Sequence, residues 1–439
     1  MANFSRRKFI ATLGATAAGT MIANGCTPSS KNPSTSSSNA PSASGKANAE
    51  PPEVKGLKLG FIALTDAAPL IIAKEKGFFD KYGLTEVEVT KQTSWATTRD
   101  NLELGGEKGG IDGAHILTPM PYFMTAGKIT KGNTPVPMSI LARLNTNGQG
   151  ISVSNDFASE KWETKAGSLK AKVDERKGSG KKLQAAITFP GGTHDLWMRY
   201  WLAANGVDPD VDVDLVVIPP PQMVANMETK TMDVFCVGEP WNARLITKKL
   251  GYSALTTGEL WKDHPEKSFS VRTEWIEKNP KAAKALLMAV MEAQQWCDDD
   301  ANKEEMCKIA GADKYFKAPP ADILERVRGN FDMGTGRNLP NSPLVMKFWR
   351  DNASFPYKSH DKWFITENTR WGKFTEADLA LVDKVNRSDL WREAAKALGV
   401  ADAQIPKEDS RGVETFFDGV TFDPANPSAY LSSLKIKKG

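Results

Sequence analysis

The chain has 439 residues, with 57 Lys and Arg against 53 Asp and Glu and a formal charge of +4. Arg6, Arg7 and Lys8 supply much of that excess, so the remainder is close to neutral, which excludes the basic footprint of a nucleic-acid-binding protein. Four cysteines and four histidines are too few for a disulfide scaffold or a multi-histidine zinc centre, and no metal or organic cofactor is expected.

In chain order, the first feature is Ser5-Arg6-Arg7-Lys8-Phe9, ahead of a weakly apolar run from Ala11 to Gly25. A basic segment followed by an apolar run too short to span a bilayer reads as an export signal over 1–25. The arginine pair resembles the twin-arginine type. The run ends in Ala23-Asn24-Gly25-Cys26, which resembles a lipobox, with Ala23 where Leu is usual. Residues 27–52 are rich in Ser, Pro, Asn, Ala and Lys, a composition that buries no core. A flexible tether is therefore expected over 26–54, with Cys26 as the lipid attachment site. After the signal no apolar stretch approaches transmembrane length.

Strand and helix patterns then alternate, which predicts an α/β architecture. Leu57 to Leu64 reads as an apolar strand, turned by 66–69 into a helix over 70–76. A strand starts at Val87, a helix covers 97–104, and a strand covers 111–117. Residues 160–182, crowded with Lys, Gly and Ser, read as a solvated loop. A second set follows: strand 185–189, a tight turn at Gly191-Gly192, helix 195–205, strand 213–218, helix 223–229 and strand 232–237. Asn279 is placed to cap a helix that begins at Pro280. Leu286, Leu287, Val290 and Met291 fall on one face of that helix. The pattern is similar to a type II periplasmic solute-binding fold, with two doubly wound lobes around a cleft. Crossings between lobes are expected near 140–150 and 238–250. That gives lobe I over 55–145 and 247–345, lobe II over 146–246, and a helical C-terminal extension over 346–439 that packs on the body.

Several motifs share one resemblance. Gln92-Thr93-Ser94-Trp95, Gly113-Ala114-His115-Ile116-Leu117, Thr188-Phe189-Pro190-Gly191-Gly192-Thr193-His194, Val237-Gly238-Glu239-Pro240-Trp241 and His264-Pro265-Glu266-Lys267 resemble the nitrate- and bicarbonate-binding proteins of cyanobacterial-type importers. The resemblance runs over nearly the whole chain. Carried over motif by motif, it implies ligand contacts at Trp95, Gln149, His194, Gly238 and Lys267. Taken singly, Trp95 reads as a packing tryptophan, Gln149 as a turn glutamine, His194 as a helix-terminal histidine and Lys267 as a surface lysine. As a set they suit nitrate, which is planar, singly charged and only accepts hydrogen bonds. Trp95 and Lys267 only donate, Gln149 offers an amide NH₂, His194 a ring N–H, and Gly238 an unobstructed backbone N–H. Nitrite, also acceptor-only, fits the same donors. Bicarbonate carries a proton that needs an acceptor, and the resemblance implies an acidic residue in place of the lysine in bicarbonate-binding members.

The resemblance further implies a monomeric binding protein and not an enzyme. It would sit on the periplasmic face of the cytoplasmic membrane, with the permease and ATPase subunits of an ABC importer as partners. A bicarbonate-binding member of the same family is the nearest alternative. From a different class, an enzyme resembling those of thiamine-pyrimidine synthesis would use His194 chemically. No nucleophile–base pair, metal motif or phosphate-binding glycine loop supports that second alternative. His115, His264 and His360 read as structural.

Overall fold

Short apolar runs with little polar alternation build two five-stranded sheets, because strands covered on both faces have no solvent side. The computed structural model describes residues 50–438. The expected signal, Cys26 and the tether as far as residue 49 lie outside the described residues. The strands are β1 (Lys58–Phe61), β2 (Glu88–Lys91), β3 (Gly113–Leu117), β4 (Met138–Arg143), β5 (Gln149–Ser154), β6 (Leu183–Ile187), β7 (Val213–Val217), β8 (Val234–Gly238), β9 (Gly251–Thr256) and β10 (Lys267–Arg272). One sheet has the order β2-β1-β3-β10-β4 and the other β7-β6-β8-β5-β9. In each, three strands run parallel, β1 between β2 and β3 and β6 between β7 and β8. An antiparallel strand, β10 or β5, continues each sheet. Central strands such as β3 are buried throughout, whereas the edge strand β2 is partly exposed.

Each sheet therefore belongs to one lobe of a doubly wound fold, as expected. The carboxyl ends of the parallel strands, where loops diverge around a change of strand order, form the crevice of each lobe. The amino ends of β5 and β10 open on the same crevice, since both strands run antiparallel to their neighbours β8 and β3.

Three expectations change. The second crossing lies at 257–266 and not at 238–250, because Gly251–Thr256 pairs with β5 as an edge strand of lobe II. Lobe II thus runs past residue 246. Within the expected loop 160–182, Leu169–Gly178 is helical, with Leu169 and Val173 buried. Two apolar residues four apart suffice to seat a helix whose other faces are charged. Asn279 precedes the helix Pro280–Asp298 but does not cap it. Its side chain donates to Trp275 O (2.9 Å), while Glu53 accepts from the backbone N–H groups of Lys281 (3.0 Å) and Ala282 (2.8 Å). Leu286, Leu287, Val290 and Met291 are all buried.

The C-terminal extension touches both lobes. In the helix Lys358–Arg370, Asp361 pairs with the buried Arg143 of lobe I. Two residues later Trp363 stacks on Trp197 of lobe II, ring centroids 5.0 Å apart. Asn368 donates to Gly191 O at 3.0 Å. Among the described residues no helix is long and apolar enough to cross a membrane, and no His, Cys, Asp and Glu cluster could hold a metal ion. Cys236, Cys297 and Cys307 are free and buried.

Candidate functional site

All five predicted residues gather where the lobes meet, and each is buried. Trp95 opens the helix Trp95–Leu104, fixed by Ser94, whose hydroxyl accepts from Thr97 N at 3.1 Å. Its indole N–H is buried and has no acceptor among the described residues. His194 lies in the first turn of the helix Thr193–Ala204. The turn before it needs Gly192, where a Cβ would come within 2.6 Å of Leu117 Cδ1 from lobe I. Lys267 is the first residue of β10 and has no exposed surface.

Gln149 and Gly238 face each other across β5 and β8. Glu239 N donates to Gly148 O at 3.1 Å. The Gln149–Gly238 pair is therefore a non-hydrogen-bonded one, and the Gly238 N–H turns away from β5. A Cβ on Gly238 would lie 2.5 Å from Gln149 Oε1, so glycine keeps this approach open.

The hydrogen bonds fix the direction of each group. His194 Nε2 is 2.8 Å from Gln149 Oε1, a pure acceptor, so Nε2 carries the proton. Nδ1, 2.6 Å from Thr188 Oγ1, then accepts from that hydroxyl. Lys267 Nζ also approaches Gln149 Oε1, at 3.4 Å, and lies 5.9 Å from the Trp95 ring centroid. Two donors thus converge on one amide oxygen beside an unpaired indole N–H. The Gln149 NH₂, expected to face a ligand, instead donates to Asp66 Oδ2 at 3.0 Å. Its carbonyl takes the acceptor role because Asp66 can only accept.

Two carboxylates were missed from sequence. Asp66 Oδ2 and Glu266 Oε1 stand 3.1 and 2.7 Å from Lys267 Nζ, all three side chains fully buried. Asp66 Oδ1 accepts from His115 Nε2 at 2.6 Å, so His115, read as structural, braces the site from behind. Glu266 accepts from Thr193 Oγ1 and, at 3.1 Å, from Trp197 Nε1. Burial alone would raise the Asp66 pKa, but Lys267 and His115 outweigh it and hold the carboxyl below its usual range. Burial likewise opposes the Lys267 charge, and Asp66 and Glu266 together raise its pKa. Burial, reinforced by Lys267, keeps His194 neutral. Glu266 is raised by burial, which Lys267 only partly offsets. The arrangement holds a cation and several N–H dipoles around one small buried point, which is chemistry for an anion and not for bond breaking.

A second feature lies between the lobes. Lys91, Thr93, Gln222, Trp241 and Arg244 line an open groove of about 470 Å³. It is roomier than a three-oxygen anion needs and shares none of the five predicted residues.

Comparison with known proteins places this geometry in context. Residues 50–311 match the NMT1-like family. The nitrate/nitrite binding protein NrtA of Synechococcus elongatus is 64% identical over 440 residues, covering 100% of this chain and 99% of that protein. The bicarbonate-binding protein CmpA of the same species is 46% identical over 451 residues, covering 99% of this chain and 98% of that protein. The crystal structure of the periplasmic nitrate-binding protein NrtA from Synechocystis matches with a TM-score of 0.86 at 59% identity, covering 88% of this chain and 100% of that one.

Proposed function

The chain belongs to the NMT1-like family and, within it, to the nitrate/nitrite- and bicarbonate-binding proteins, and from that premise we propose that it captures nitrate outside the cytoplasmic membrane for an ABC-type importer. The observation that carries this reading is the convergence of His194 Nε2–H and the Lys267 ammonium beside the unpaired Trp95 indole N–H. An acceptor-only monoanion satisfies such a set of donors without needing a proton of its own. Nitrite shares that chemistry and belongs in the ligand range. Bicarbonate fits less well, since its O–H requires an acceptor and the nearby carboxylates are already taken by Lys267, His115, Gln149, Thr193 and Trp197. Calorimetric titration of the purified chain with nitrate, nitrite and bicarbonate tests the assignment. Nitrate and nitrite should bind and bicarbonate should bind at least about tenfold more weakly. Bicarbonate as the tighter ligand would overturn it.

The same reading includes a lipid anchor at Cys26, permease and ATPase subunits as partners, and a monomeric state. A capture protein tethered through two acyl chains stays close to its importer, where one chain alone holds only marginally. Substituting Cys26→Ala should move the protein from the membrane to the soluble fraction. A variant that still sediments with membranes would rule the anchor out.

A further inference from the structure

Resting on the nitrate reading, we propose that Asp66 and Glu266 are specificity-determining residues that restrict this site to singly charged oxyanions. Both carboxylates contact the same buried ammonium, Asp66 Oδ2 at 3.1 Å and Glu266 Oε1 at 2.7 Å from Lys267 Nζ. The positive charge of Lys267 is therefore compensated before a ligand arrives. His115 and His194 add none, because burial keeps both neutral. What remains for a ligand is dipolar: the N–H groups of Trp95 and His194, and the one lysine hydrogen that Asp66 and Glu266 leave free. Such donors suffice for one delocalised negative charge. A second charge would sit without a counter-cation beside two carboxylates, in a volume from which water is excluded and charges are poorly screened.

The two acids are held in place independently of a ligand, which makes them fixed elements of the site. Asp66 is tied by His115 Nε2 at 2.6 Å and Gln149 Nε2 at 3.0 Å, and Glu266 by Thr193 and Trp197. Asp66 belongs to the loop after β1, and Thr193 and Trp197 to lobe II. The same bonds that hold the charges thus join the lobes around the ligand point. If the acids served only to hold Lys267 in place, neutral isosteres would change affinity for all anions alike. As a charge filter, they change the ratio between singly and doubly charged anions.

Chlorate and sulfite separate charge from shape, since both are pyramidal three-oxygen anions of similar size. Calorimetry of the intact chain should be run with nitrate, chlorate and sulfite, the last above its second ionisation. The parent should bind nitrate and chlorate, with sulfite about a hundredfold weaker or more. Glu266→Gln and Asp66→Asn should each narrow the chlorate-to-sulfite ratio by about tenfold, with circular dichroism verifying the fold. A ratio unchanged in folded variants overturns the proposal, as does a parent that binds sulfite as tightly as chlorate. A measurement on the parent alone remains decisive if neither variant folds. Nitrate in the same series keeps the claims apart. Its failure to bind sinks the nitrate reading, whereas tight nitrate with equally tight sulfite sinks only the charge filter.

Discussion

Lys267 shares one buried ammonium between Asp66, Glu266 and the point where the ligand donors meet. Its substitution should therefore be read on two axes. Lys267→Gln removes a charge-assisted hydrogen bond of about 1.5–3 kcal/mol, so nitrate affinity should fall about ten- to hundredfold. It also strands two buried carboxylates, at a cost of about 3–5 kcal/mol in stability, visible as a lower melting temperature. Lys267→Glu adds a third carboxylate and should abolish nitrate binding. Binding within about threefold of the parent would show that Lys267 is no ligand contact. Gly238→Ala offers a contrasting case. Its Cβ would fall 2.5 Å from Gln149 Oε1, the flexible end of a side chain, so the amide moves while the fold holds. Affinity should drop by about tenfold with little change in melting temperature. At this scale the sequence was half legible. Trp95, His194, Gly238 and Lys267 sit in motifs that carry a family resemblance, whereas Gln149 stands in none of them. Asp66, beside a turn, and Glu266, ahead of a strand, look like solvated acids until the fold buries them against one lysine.

The starts of the helices that carry Trp95 and His194 were legible to within about two residues because local chemistry sets them, whereas β5 and β10, which carry Gln149 and Lys267, were not foreseen as strands. Ser94 caps the helix at Trp95, and a positive-φ glycine, Gly191 (φ 76°), turns the chain into the helix that carries His194. What was not legible depends on distant partners. β9 joins lobe II only through pairing with β5, roughly a hundred residues earlier in the chain, so its placement has no local signal. The helix Pro280–Asp298 is capped by Glu53 from far outside its own sequence. Glu53→Ala should cost about 1 kcal/mol of stability and leave nitrate affinity unchanged. A loss of affinity would mean that this end of the chain reaches the site. Gly192→Ala tests the other helix. A Cβ there would lie 2.6 Å from Leu117 Cδ1 and 3.1 Å from Phe189 O, so Leu117 must shift where the lobes meet and nitrate affinity should fall. An affinity equal to the parent's would show that close approach at this turn is dispensable.

For the whole molecule, burial of all four histidines has a consequence for pH. Burial, the largest cause in each case, lowers the pKa of His115, His194, His264 and His360, the last two to about 3. In the unfolded chain they return to about 6.5, so the unfolded state binds more protons and stability falls as the pH drops below that value. Asp66 acts in the same direction further down, since its depressed carboxyl contributes stability that is lost as the pH falls through its folded value. Glu239 and Glu266, raised by burial, bind protons earlier in the folded state and offset part of the loss. The melting temperature should be lower at about pH 5 than at about pH 7. An equal or higher value at the acid end would contradict this account. The C-terminal helix Lys358–Arg370 joins both lobes through Asp361, Trp363 and Asn368, a bridging role with no local signal because it depends on side chains that meet only in three dimensions.

A crystal structure of the chain with nitrate is the sharpest test of anion binding at the buried donor cluster where the lobes meet. Nitrate oxygens should lie within hydrogen-bond distance of Trp95 Nε1, His194 Nε2 and Lys267 Nζ, with the Gln149 amide displaced from the point its oxygen now holds. Nitrate found instead in the open groove beside Thr93, Trp241 and Arg244, with Gln149 still bonded to His194, would contradict the account.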